Sequence, residues 1–289
     1  MILRSCIVRC LGLCFLILPT SVQAGIIGFD IQLSLSGFTA SQEAIFNAAA
    51  STWEGYISGY RDTVASTVLS ITGSATTIDG VGGILGSAGP QTGKFGPEHN
   101  FLYSASGAMN FDSADIANLE VNGTLSAVIL HEMAHVMGIG TLWSSSAVGA
   151  PGFQELYTVG TGQYTGLTAT AAWRSEFNQP AATFVPVELG GGSGTANSHW
   201  NEVDGGAGDT GFISNITGQD FKYELMTGWL NPGPTYISTV TLGSFVDLGY
   251  TLNSTTAVPE PSSLAFIGIL VTVGLYRNRR QTSRKQLVI

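Results

Sequence analysis

The feature that most constrains this chain is a nearly unbroken apolar run from Leu125 to Met137, interrupted by His131, Glu132 and His135. Thr124 stands ahead of it as a candidate N-cap and Gly138 behind it as a left-handed stop, so the run predicts one helix through Met137. A helix this apolar belongs inside a protein, and polar side chains within it need a reason. His131 and His135 are four apart and project from the same face, one turn apart. Two imidazole nitrogens so placed reach one zinc ion. Glu132 points toward the same side and can take a proton from a zinc-bound water without being a ligand. The competing reading, two solvated histidines and a surface glutamate, fits poorly with the apolar flanks.

A catalytic zinc usually has three protein ligands. In the extended pattern HExxHxxGxxH the glycine is present as Gly138, but the next ligand position holds Thr141. The third ligand therefore comes from elsewhere. His199, just after the glycine-rich stretch 190–194, is favoured; His99, Glu155, Glu202 and Glu224 remain alternatives. Met226, in Tyr223-Glu224-Leu225-Met226-Thr227-Gly228, stands after the favoured histidine, where a methionine turn would lie. Asp112 and Asp115 have the composition of a calcium loop, although capping and loop hydrogen bonds account for them better.

The 289 residues suffice for one sizeable domain or two small lobes around a cleft. All three cysteines, Cys6, Cys10 and Cys14, lie at the extreme N-terminus, so any metal in the body must use histidine and carboxylate. Cations also collect at the ends: residues 25–257 keep only Arg61, Lys94, Arg174 and Lys222 among 19 of the 20 carboxylates. An acidic body repels nucleic acid, and no such partner is expected.

Both ends read as addresses. Residues 1–24 have the layout of a secretory signal: Arg4 and Arg9, an apolar stretch from Leu11 to Leu18, and Val22-Gln23-Ala24 before Gly25. At the other end Pro259-Glu260-Pro261 precedes an apolar run from Leu264 to Tyr276 and then Arg277-Asn278-Arg279-Arg280. That run is short of the about 20 residues a full span needs. The tail resembles the PEP-CTERM sorting signal of Gram-negative bacteria. The resemblance implies membrane contact through the tail before processing, cutting by an exosortase-type enzyme, and release to the cell surface or extracellular matrix. A plain membrane anchor is the competing reading.

Between the ends, residues 29–36 alternate as a strand, and Thr39 with Gln42 forms a capping box for a helix whose apolar stripe is Ile45, Ala48, Ala49, Thr52, Trp53 and Tyr56. Residues 64–71 and 75–78 read as two strands divided at Gly73. Residues 80–96 read as a glycine-rich loop, and 101–103 and 108–111 as short strands, one at a sheet edge. Residues 168–177 and 239–248 read as short helices.

Taken together, His131-Glu132-Met133-Ala134-His135-Val136-Met137-Gly138, His199-Trp200 and Glu224-Leu225-Met226-Thr227-Gly228 resemble the leishmanolysin family of metzincin zinc metallopeptidases. In that family a long insertion separates the helix from its third histidine. The resemblance implies an α+β fold: a twisted mixed sheet with the active-site helix in residues 25–142, and an irregular C-terminal lobe in 143–252, with a linker and sorting tail in 253–289. It implies zinc on His131, His135 and His199, Glu132 as catalytic base, Met226 as the turn methionine, and protein or peptide substrates held against an edge strand. Protozoan members are rich in disulfides, which residues 25–289, having no cysteine, cannot form. The alternative is a non-catalytic matrix or adhesion protein with a vestigial zinc site; a zinc hydrolase of non-peptide substrates is a third reading.

Overall fold

The computed structural model describes residues 28–253, apart from Ala65, Pro97 and Asp204. The signal-like segment, with its three cysteines, and the linker and tail from residue 254 onward lie outside the described residues.

Strand β1 (Asp30–Ser36) leads into α1 (Ala40–Tyr56), whose start is closed by reciprocal capping between Thr39 and Gln42. The buried face of α1 is Gln42, Phe46, Ala49, Ala50 and Trp53: Ala49 and Trp53 of the expected stripe are buried, Ile45, Thr52 and Tyr56 are half-buried, and Ala48 is exposed. The stripe is rotated because Phe46 packs edge-on to Phe111 at 5.2 Å and Trp53 reaches across to the next major helix. Full burial of one such aromatic contributes about 2–3 kcal/mol.

β2 (Ile57–Tyr60) is followed by β3 (Val68–Thr76), which runs straight through Gly73 instead of breaking there. β4 (Gly86–Gly96) occupies the stretch expected to be a loop, and β5 (Phe101–Asp112) is one strand where two were expected. The four-stranded sheet has the order β1-β3-β5-β4, with β1, β3 and β5 parallel and β4 antiparallel to β5. β5 is therefore interior; of the two edge strands, β1 is one and β4 the other. Pro90 is tolerated there, at a register shift, because an edge strand has one unpaired side.

The loop before β4 is organised by Asp112. Its Oδ2 accepts from the amides of Ile78, Asp79 and Gly80, and its Oδ1 accepts from Ala114 N. Asp115 Oδ1 accepts from Gly82 N. The two aspartates hold loop backbone, as expected of loop hydrogen bonds, although Asp115 makes no side-chain cap on the helix that follows it.

After the unforeseen short helix α2 (Ile116–Val121) comes α3 (Leu125–Val136), the helix of the apolar run. Thr124 precedes it but makes no side-chain cap; its hydroxyl turns back to Leu119 O at 3.4 Å. Two side chains fix α3 at its carbonyls: Trp53 Nε1 donates to Leu130 O at 3.1 Å and the Tyr250 hydroxyl to Met137 O at 2.8 Å. Beyond α3 regular structure is sparse: β6 (Gln163–Tyr164), α4 (Leu167–Glu176), β7 (Val185–Pro186), α5 (Thr239–Asp247) and β8 (Tyr250–Leu252). β8 returns to pair with β2, and Tyr250 packs among Phe29, Tyr60 and Phe245. The result is the expected mixed α+β architecture, with α3 buried between the sheet and the irregular second half.

Candidate metal centre and active site

His131 and His135 leave one face of α3, and the chain then turns back at two glycines. Gly138 and Gly140 have φ of 115° and 78°. A Cβ on Gly140 would lie 2.7 Å from Ser198 O, so only glycine lets the segment carrying His199 approach the end of the helix. Behind His199, Trp200 is fully buried and stacks on Trp143 at 4.8 Å.

The three histidines meet at their Nε2 atoms, each pair 3.0 Å apart. Their Nδ1 atoms all face backbone carbonyls: His131 donates to Leu225 O at 2.7 Å, His135 to Ile139 O at 3.0 Å and His199 to Thr195 O at 2.9 Å. With the ring protons so engaged, three Nε2 lone pairs converge on one point. Burial is the main cause that lowers all three imidazoles, and the neighbouring histidines add to it for His131, held down to about 3, and for His199, held well below the ordinary value. Neutral imidazoles with converging lone pairs repel one another, and a cation removes that repulsion. Three imidazoles in one place suit zinc, so the donor set fits.

Glu132 is 6% exposed, and burial pushes its carboxyl up to about 8. Its wall is strand β4. A Cβ on Gly86 would lie 2.9 Å from Glu132 Oε1 and 3.1 Å from Cγ and Cδ. The glycine-rich character of β4 thus has a local reason: the strand must pass directly over this carboxylate. Gly86→Ala is expected to displace Glu132 and lower turnover by about 10–100-fold, because sub-ångström misplacement of a reacting group is costly. Zinc content should stay unchanged; loss of zinc would show that Gly86 matters for folding of the centre rather than for Glu132.

Met226 is fully buried in a turn directly beside His199's segment, its carbonyl accepting from Trp200 N at 3.0 Å. The turn is held by Glu224, and the preceding Leu225 carbonyl is the one that orients His131. Glu224 Oε2 accepts from Met226 N at 2.6 Å, and its Oε1 accepts from Ser238 N, Ser238 Oγ and Thr241 Oγ1. Burial pushes Glu224 up to about 7 against these hydrogen bonds. Thr241 in turn accepts from Trp200 Nε1 at 2.9 Å, so one buried network joins the turn, the start of α5 and the residue after His199.

The alternative third ligands lie elsewhere. Glu155 is engaged by Ser144, Ser145 and Ser146, Glu202 by Asn231 and Gly208, and His99 pairs with Asp62. The chain thus brings His131, His135 and His199 together, with Glu132 and Met226 close by. The orienting carbonyls, Gly86 and Glu224's structural role escaped sequence reasoning; backbone carbonyls carry no residue-type signal, and Gly86 read only as loop composition.

No curated protein matches the chain. The family model described as Leishmanolysin matches residues 100–259, a stretch that includes α3, all three converging histidines and the Met226 turn. This covers more than half of the sequence, and the chain belongs to the leishmanolysin family of zinc metallopeptidases.

Proposed function

We propose that this chain is an exported endopeptidase in which His131, His135 and His199 hold zinc, Glu132 carries the proton and Met226 is the turn methionine beneath the metal. The observation that carries the reading is the triangle of Nε2 atoms at 3.0 Å with every Nδ1 tied to a carbonyl. Zinc bound there would supply a Lewis acid for the scissile carbonyl and would acidify a water. Glu132 takes the proton from the attacking water on a carboxylate oxygen and delivers it to the leaving amide nitrogen. Its closed surroundings keep bulk water from competing for that proton. β4, with one side unpaired at the sheet edge beside α3, offers backbone groups to an extended peptide.

The ends of the sequence support export from a Gram-negative bacterium: the signal-like residues 1–24, and the PEP-CTERM-like tail that an exosortase-type enzyme would cut, leaving the protein at the cell surface or in the extracellular matrix. In the same reading residues 25–142 form the lobe with the active-site helix and 143–252 the lobe with the third histidine.

Purified protein should cleave casein or gelatin, lose that activity to a zinc chelator, and regain it when zinc is restored. Zinc binding without cleavage of casein, gelatin or a peptide library would favour the matrix or adhesion protein with a vestigial site.

A further inference from the structure

A second set of metal-type donors converges where the β4–β5 turn meets the segment after β2. Asp62, Glu98 and His99 each bring a ligand atom to within 4.8 Å of the others. The Asp62 side chain has no exposed surface. Its Oδ1 pairs with His99 Nδ1, while Oδ2 is buried without a hydrogen-bond partner. A buried carboxylate oxygen left unbonded is costly unless a cation meets it.

Lysine and arginine do not supply that cation among the described residues. The Arg61 guanidinium, next in sequence, donates to Val246 O at 2.7 Å and lies 4.6 Å over the Phe101 ring. The backbone is shaped around the carboxylate instead. Asp62 N donates to the Tyr103 hydroxyl at 3.3 Å, and His99 N closes a turn onto Gly96 O at 3.4 Å. A Cβ on Gly96 would overlap Asp62 Oδ2, so the strand end is a cradle that a side chain would fill.

We propose that Asp62, Glu98 and His99 form a second divalent-metal site, of the zinc class, separate from the histidine triangle. One imidazole nitrogen with two carboxylates suits zinc-type ions; calcium and magnesium prefer oxygen alone. Binding places the ion where His99 Nδ1 meets Asp62 Oδ1. The ion would tie the segment after β2 to the far end of β4, the strand whose other end, Gly86, contacts Glu132. Its role is to anchor the edge strand.

The test is zinc stoichiometry of the purified full-length protein, equilibrated with zinc, freed of excess and measured by mass spectrometry. The parent should hold two ions. His99→Ala, at a half-exposed position, should hold one, remain an active peptidase and lose part of the zinc-dependent rise in Tm. Glu98→Gln, also at the surface, should weaken the second ion alone. His199→Ala should hold one ion and be inactive, which separates failure of the triangle from failure of this site. One ion in the parent with no change in His99→Ala, or two ions in His99→Ala, overturns the proposal.

Discussion

Glu132→Gln is expected to lower kcat/KM by about 10²–10⁴-fold, the usual contribution of a positioned general acid–base, while zinc stays on the histidine triangle. The amide keeps the shape that fits beneath Gly86 but cannot accept the proton. A variant that cleaves casein as fast as the parent removes Glu132 from the reaction. A variant that loses zinc shows instead that the substitution disturbed the centre.

The same substitution should stabilise the metal-free protein at high pH. Burial raises Glu132 to about 8 and Glu224 to about 7, from an ordinary value of 4.5. Each folded-state value lies above the unfolded one, so between these limits the folded state binds more protons. Stability from these two groups is therefore fully present below about 4.5 and is lost as pH rises through 7 and 8. The three histidines run the other way: their lowered values cost stability below 6.5. Comparing parent with Glu132→Gln cancels the other groups. The variant's Tm advantage, measured under chelation, should be largest above pH 8 and vanish toward 4.5. An advantage that does not change with pH would mean that Glu132 does not titrate as its burial implies.

Local signals were legible where one residue and its near neighbours decide the outcome. Thr39 and Gln42 announce α1, and the apolar run announces α3. The His131–His135 pair needs only helix geometry to share a face. β4 was illegible because its glycines have weak strand preference on their own. It is a strand because β5 pairs along it, and at Gly86 the Glu132 carboxylate leaves no room for a larger side chain. β5 was split in the sequence by its central small residues, Ser104 to Gly107, which the sheet accommodates in the interior. Glu224 looked like a ligand because it is a carboxylate near Met226; its partners Ser238 and Thr241 come from 14 and 17 residues away, and only folding shows them.

His199 was the boldest inference from sequence, 64 residues beyond His135, and His199→Ala is the substitution that tests it hardest. Removing one of three ligands should weaken zinc by about 100-fold or more, if about 10–16 kcal/mol of binding is shared among the ligands of a site. Cleavage should fall below detection at zinc concentrations that saturate the parent. Because His199 Nδ1 also donates to Thr195 O, the loop before it loses an anchor too. The measurement is cleanest in the His99→Ala background, where zinc held by Asp62 and Glu98 cannot be mistaken for zinc on the triangle. There the double variant should carry almost no zinc. Full occupancy would mean that another group, such as a carboxylate, completes the centre in place of His199.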